Sequence, residues 1–482
     1  MFKPEARVRW KPDPGPAPTA EEAAQSRLFS TIAVGPLTLG SRSWVPAMVP
    51  WRASEDGFVT DDVVAWYRRF AAGRPGAIVI EATGVRDVPS GPLLRAADDR
   101  FIPGLARIAE AVREASGGRT RLLVQLIDFL RIRRRPKPEL FFSRFLGITD
   151  RHRKLLGMPD AEESAIRDKL SSLCREDIEQ VLTPRELESL DYGARERVTD
   201  TELPHIEDLP RRLPGHFADA ARRCVEAGFD GIELHCAHAY TLASFLSATN
   251  TRKDGYGTSR EGRIRLPIEV YQAVRDAVPG NIAVGARFLT ADCIEGGSTS
   301  DDAAWFGARF AEAGMDFLSL SRGGKFDDAK QPKVGQPAYP YTGPSGYECM
   351  PAYISDETGP FGRNIADTKK VRDAVRAAGF DTPVVAAGGL HGFRQAEAWL
   401  AEGAADIVGA ARQTLADPDF FEKIRQGRGN EVRVCEYTNY CEGLDQSHKQ
   451  VTCKLWDRTE FDEDGVPMSS DGKRRLVAPR WS

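Results

Sequence analysis

A chain of 482 residues with 28 % charged and 41 % hydrophobic side chains has the balance of a folded globular protein and can bury a large core. Its formal net charge of −4 excludes a broad electrostatic attraction to nucleic acid or anionic lipid, and no run approaches the roughly 18 apolar residues of a membrane span. Eight cysteines are too sparse for a disulfide scaffold, and the opening MFKPEARVRWKPDPGPAPTAEE lacks the apolar centre of a secretory signal, so a cytoplasmic protein with reduced thiols is expected.

Residues 1–27, rich in Pro, Ala and charge, read as an N-terminal arm. From there, strand-length apolar runs alternate with longer amphipathic stretches. The strand candidates are SWVPAMV (43–49), AIVIEA (77–82), LLVQLI (122–127), DGIELH (230–235), IAVGARF (282–288), DFLSLS (316–321), PVVAAGG (383–389) and ADIVGAA (405–411). All but the first are β-branched or small and lack alternation, as strands buried on both faces do. Helices are expected over 60–71, 103–115, 215–228, 261–278, 300–314, 365–379, 392–403 and 417–427, several opened by Asp, Ser or Thr and most closed by Gly.

Eight such units predict an α/β fold, a (β/α)8 TIM barrel over residues 28–430, with a doubly wound sheet as the alternative. An active site then lies at the C-terminal ends of the strands. Two connections are long. The segment from about 131 to 212, after strand three, is charged and helical in pattern and begins RIRRRPK, five basic residues in seven. The segment 322–364, after strand six, is rich in Gly, Pro and Tyr and is expected to shape a substrate pocket.

Polar and glycine features mark the strand ends. Strand three ends in Gln125, strand five in Arg287, strand seven in Gly388 and Gly389, and strand eight in Gly409 followed by Arg412. Glycines there expose backbone N–H groups, and with a nearby arginine they suit the phosphate of a cofactor. Strand four runs into ELHCAHAY, which sets His235, His238 and Tyr240 at the same face. An isolated H-x-x-H equally suits a structural role or a metal. Residues 431–482 carry CEYTNYCEGLDQSHKQVTC, which groups Cys435, Cys441 and Cys453.

The run GFDGIELHCAHAYTLASFLSATNTRKDGYGTSREGRIR resembles the signature of the Old Yellow Enzyme family of flavin oxidoreductases, and the likeness extends over roughly residues 28–458. It takes in LFSTIAVGPLTLGSRSWVPAM, DDRFIPGLARIAEAV, VVAAGGL and GAARQTLADPDFF. The resemblance implies FMN across the barrel mouth, its phosphate at Gly388, Gly389, Gly409 and Arg412, and its ring against Ala82, Gln125 and Arg287. It also implies that His235 and His238 donate hydrogen bonds to a substrate carbonyl, polarising a conjugated C=C for hydride transfer, while Tyr240 protonates the α-carbon.

The chain departs from the family in two places near the ring: strand three reads QLIDFLR, with Asp128 and Leu130 where His and Gly are usual, and Ala–Pro–Met becomes Ala47-Met48-Val49. The cysteine loop resembles that of the 2,4-dienoyl-CoA reductase and trimethylamine dehydrogenase branch, which binds a [4Fe–4S] centre, but Thr438 occupies the place of one cysteine. Cys435, Cys441 and Cys453 could hold a 4Fe–4S cluster with a further ligand, a 3Fe–4S cluster, or nothing. No GxGxxG follows a strand after Cys453, so the nucleotide-binding domain of that branch is not expected. Electrons would come from a partner reductase if a cluster is present, or from NAD(P)H directly if not. The expected substrate is a small enone or an enoyl thioester, a CoA ester being one version, on a homo-oligomer. The competing readings are a metal-dependent barrel lyase or hydrolase that uses the His pair with Glu81 or Asp128, and a non-catalytic scaffold.

Overall fold

The computed structural model describes residues 12–88, 91–323, 333–336, 361–445, 447–459 and 465–481, and within them eight parallel strands close into a barrel. The strands are β1 (Ser43–Val45), β2 (Ala77–Gly84), β3 (Arg121–Ile127), β4 (Gly231–Cys236), β5 (Ala283–Leu289), β6 (Leu318–Ser321), β7 (Val384–Ala387) and β8 (Ile407–Gly409). They follow one another round the barrel, and β8 closes it on β1 through Val408–Ser43 and Gly409–Trp44. That closure excludes the doubly wound sheet. Every residue of β2, β4 and β8 is buried, which is why these runs show no alternation.

Three strands stop short of the C-terminal ends of their apolar runs. β1 stops before Pro46, which has no N–H to give the ladder. β7 stops at Gly388, where φ is +148°, and Gly389, where φ is +72°, so the chain leaves extended geometry at the barrel mouth. β8 ends at Gly409, before the helical turn Arg412–Ala416.

The barrel helices are α1 (Asp61–Ala72), α2 (Ile102–Ser116), α3 (Leu209–Glu226), α4 (Arg260–Ala277), α5 (Ser300–Glu312), α6 (Ile365–Ala377), α7 (Phe393–Ala401) and α8 (Phe420–Arg425). Thr60 caps α1 by accepting from the Val63 amide, and Thr299 and Asp302 form a capping box on α5. α3 starts six residues before its expected position: burial of Leu209 and Leu213 carries the helix through Pro214, the residue that seemed to bound it.

A hairpin of Ile32–Val34 and Leu37–Leu39 precedes the barrel, where only an opening strand was expected. Its Val34, Leu37 and Leu39 pack with Trp44, Val79, Leu123 and Phe317, so it plugs the N-terminal mouth. Gly35 makes the turn at φ +53°, and a Cβ there would lie 2.0 Å from the Asp316 carboxylate.

The connection after β3 has its own small core, built by helices Glu163–Ser171, Arg175–Val181 and Pro184–Tyr192 around Phe142, Ile166, Leu170, Ile178 and Leu190. The basic run at its start is partly enlisted by structure, with Ile132 bridging to Arg195 and Arg133 lying over the Phe145 ring. Most of the connection after β6 lies outside the described residues. The N-terminal segment docks on the barrel through the short helix Ala20–Gln25 and through Leu28, whose amide donates to Glu397 and whose side chain joins Phe393 and Phe420.

β5 meets β6 where Gly285 leaves no room: a Cβ would stand 2.3 Å from the Phe317 carbonyl oxygen and 2.6 Å from its ring. Gly285→Ala should therefore lower stability by about 1–3 kcal/mol, read as a reduced urea midpoint with an unchanged slope. An unchanged midpoint would mean that the strands separate freely there.

Candidate functional site

Parallel register brings the strand ends into adjacent rungs. Ala82 sits beside Gln125, Gln125 beside Glu233, His235 beside Arg287, and Arg287 beside Ser319. All of Ala82, Gln125, His235, His238, Tyr240, Arg287, Gly388, Gly389, Gly409 and Arg412 line one cavity of about 330 Å³ at the C-terminal face. This volume lies within the range of small-molecule and cofactor sites, about 300–1,000 Å³. The structure thus brings together the ten residues singled out at the strand ends, from six strands and the segments that follow them.

The floor is charged and dry. Gln125 donates its amide to Glu233 Oε2 at 2.7 Å, while Glu233 Oε1 is buried without a hydrogen-bond partner. Burial pushes the Glu233 carboxyl up, and the neighbouring Arg287 guanidinium pulls it back. Arg287, itself pushed down by burial, donates to the Ser319 hydroxyl at 3.0 Å. Glu233 and Ser319 escaped the reading of the sequence, although Glu233 is the one charged residue inside the apolar run GIEL.

The two imidazoles form a chain. His235 Nε2 lies 3.1 Å from His238 Nδ1, and His238 Nε2 lies 2.9 Å from the Ser321 hydroxyl. Burial, reinforced by Arg287, pushes His235 down to about 3, so it is neutral near pH 7. Two proton arrangements satisfy both links: both imidazoles carry Nε2–H, or both carry Nδ1–H with Ser321 donating. His235 Nδ1 is buried without a partner. The first arrangement leaves an acceptor unpaired there and the second a donor; the first costs less because buried N–H orphans are the rarer kind. His238 and Ala239 reach their places with φ of +56° and +53°, a left-handed pair of non-glycine residues of the kind that concentrates at functional sites. Tyr240 stands edge-on to both His235 and Phe129, with ring centroids at 5.3 and 5.4 Å.

Part of the cavity wall is cationic: Arg322, Arg363 and Arg412 line it together with the positive-φ glycines Gly388 and Gly389. Arg412 is held by Asn439 Oδ1 at 2.8 Å and lies over the Tyr437 ring, and the Tyr437 hydroxyl donates to the Leu390 carbonyl. Trp51, at φ +54°, joins the wall; its indole donates to Asp445 at 2.6 Å and its ring stacks on His448 at 4.1 Å. Arg322 and Arg363 come from the segment 322–364 that was expected to shape a substrate pocket, whereas nothing local in the sequence marks Trp51.

Cys435, Cys441 and Cys453 face one small neighbouring cavity of about 20 Å³, and Cys441 also reaches the larger one. Burial pushes all three thiols up, Cys453 to about 12, with Cys435 adding to the shifts of Cys441 and Cys453 and Cys453 to that of Cys441. That space holds about one water. Among the described residues no group of three or more His, Cys, Asp or Glu converges to hold a metal. The expected ligand set is thus brought to one loop around one small cavity.

The carboxylates that a metal reading would need also point elsewhere. Glu81, at a bulge in β2, accepts from the Tyr67 hydroxyl at 2.8 Å, and burial pushes it up to about 8. Asp128 is clamped by Arg86 and accepts from Thr241 at 2.6 Å. Neither is among the residues that line the cavity with the His pair.

A sequence profile of the NADH:flavin oxidoreductase / NADH oxidase family matches residues 210–345 and 347–431. The chain is 29 % identical over 413 residues to an NADH oxidase of Thermoanaerobacter brockii, covering 85 % of this chain and 52 % of that protein. In structure it is similar to a 2-naphthoyl-CoA reductase solved in complex with 2-naphthoyl-CoA, with a TM-score of 0.64, 20 % identity, and coverage of 89 % of this chain and 56 % of that one. It is also similar to morphinone reductase, with a TM-score of 0.53, 21 % identity, and coverage of 83 % and 90 %. The chain spans about half the length of the curated relatives it matches over most of its own length.

The buried neutral His235 makes a pH prediction. An unfolded imidazole takes its proton near 6.5 and the folded one near 3, so between these values the unfolded state binds more protons and stability falls with falling pH. Between pH 7 and 4.5 the wild type should lose about 1–3 kcal/mol more than His235→Asn. Urea midpoints at the two pH values check this; parallel losses in both proteins would show that His235 is protonated as easily folded as unfolded.

Proposed function

Because this chain belongs to the NADH:flavin oxidoreductase / NADH oxidase family, of Old Yellow Enzyme type, we propose that it is an FMN-dependent reductase of carbon–carbon double bonds conjugated to a carbonyl. The observation that carries the reading is the convergence of a histidine pair, with His235 held neutral by burial, a tyrosine and a buried arginine on one cavity. The donor set fits FMN. Backbone turns at Gly388, Gly389 and Gly409 with Arg412 would hold the phosphate, while Ala82, Gln125 and Arg287 would meet the ring, Arg287 opposing the negative charge of its reduced form. Bound FMN supplies a two-electron carrier that accepts from a nicotinamide donor and gives hydride to carbon.

The chain's own residues do the rest. A substrate carbonyl oxygen would take the Nε2–H of His235 from His238 and the Nε2–H of His238 from Ser321. Two hydrogen bonds of about 0.5–1.5 kcal/mol each are exchanged for two that strengthen as negative charge grows on the oxygen. Being neutral, His235 polarises the carbonyl without first surrendering a proton. Tyr240 holds the proton for the α-carbon at its hydroxyl, and its ring is steadied edge-on by Phe129 and His235. The charged floor of Glu233 and Gln125 lies below and keeps Arg287 in place.

Tyr240→Phe tests the assignment. Anaerobic oxidation of the reduced holoenzyme by cyclohex-2-enone should slow by roughly 10²–10⁴-fold, while reduction by NADH, which needs no proton from this residue, should stay within a few-fold. Equal effects on both halves, or none on the first, would remove Tyr240 as the acid.

A further inference from the structure

A second cavity of about 650 Å³, roughly twice the volume of the first, lies beyond Tyr240. Phe129 and Tyr240 line both, so their edge-to-face pair forms the partition between them. The near wall comes from the barrel, through Thr241, Ser244 and Asn250; the far wall comes from the insertion, through Ile132, Leu187 and Val198. A barrel alone would not enclose this space.

The polar groups of the chamber are unevenly satisfied. Each carboxylate in the wall already has a partner: Glu188 accepts from Arg195 at 3.2 Å and Arg197 at 2.5 Å, Asp191 accepts twice from Arg175 at 2.7 and 2.8 Å, and Glu196 binds His205 at 2.7 Å. Arg185 spends Nη2 on Asp200 at 2.6 Å and on the Arg195 carbonyl at 2.7 Å, while its Nη1 is shielded from solvent and makes no hydrogen bond. A chamber whose acids are already paired and whose wall carries Arg185, Arg195 and Arg197 favours a ligand that ends in an oxygen acceptor.

We infer that this chamber seats the distal part of the substrate. The substrate class is an elongated conjugated carbonyl compound: the enone or enal end lies at the His pair, a long or polycyclic apolar body passes Tyr240, and a terminal carboxylate or similar acceptor pairs with the Arg185 guanidinium. This rests on the reading of the first cavity as the reductive site. It makes Arg185 and Leu187 residues of substrate selection, and it gives the helical insertion a role in catalysis that the barrel does not need for folding.

The experiment mixes stoichiometrically reduced holoenzyme anaerobically with cyclohex-2-enone or with 12-oxododec-10-enoate, an enal carrying a distal carboxylate, and follows flavin absorbance against substrate concentration. The wild type should half-saturate with the long enal at a concentration at least 10-fold below that for cyclohex-2-enone. Arg185→Met should cut the long-to-short preference 10- to 50-fold, and Leu187→Trp, which fills the chamber without touching the salt bridges, should cut it at least 10-fold. If cyclohex-2-enone oxidises the enzyme but the long enal is not preferred, or neither variant changes the ratio, the chamber is not a substrate site. If neither compound oxidises the reduced enzyme, the reductive reading of the first cavity falls as well.

Discussion

The register of a closed parallel barrel is the constraint on which everything else rests. With eight strands joined edge to edge, no strand can slip by one residue without turning its own side chains to the wrong face. The same register that fills the barrel with Val79, Leu123 and Phe317 at one end sets Gln125 beside Glu233 and His235 beside Arg287 at the other. The charges are thus buried because their strands are buried, and the fold tolerates them by pairing. Glu233 answers Arg287, Gln125 fills one face of Glu233, and His235 avoids the cost by staying neutral.

The C-terminal extension belongs to the site as much as the barrel does. Asn439 and Tyr437 aim Arg412, Asp445 anchors the Trp51 indole, and Tyr437 fastens to the chain after β7 at Leu390. Cys441 reaches the same cavity. Whatever fills the neighbouring thiol pocket, these contacts give residues 431–459 a structural reason to sit over the cationic part of the wall. Farther along, Arg69 donates to the Ala478 and Pro479 carbonyls and to Asp419, tying the last residues to α1 and the start of α8.

The barrel was legible because its strands are long apolar runs separated by capped helices, and periodicity reports both. The strand ends were legible because polar residues and glycines gather at the C-terminal ends of such runs: Gln125, Arg287, Gly388, Gly389 and Gly409 all stand out this way and all line the cavity. What escaped was set by contacts distant in sequence. The hairpin at 32–39 is a plug whose purpose appears only once the mouth it closes exists, and Trp51 reaches the cavity from an irregular segment. The cysteine spacing suggested shared ligation, but spacing cannot say whether three thiols converge, and the fold leaves room there for about a single water. The volume beyond Tyr240 was equally hidden, since it arises where the insertion folds back on the barrel.

The account stands or falls on flavin. The most direct measurement is an anaerobic titration of the cofactor-stripped protein with FMN, followed by visible absorption through addition of NADH and then of cyclohex-2-enone. The account predicts one FMN bound per chain, bleaching of the flavin bands by NADH and their return with the enone in the absence of oxygen. A protein that leaves FMN free in solution, or that binds it and is never reoxidised by an enone, would contradict it.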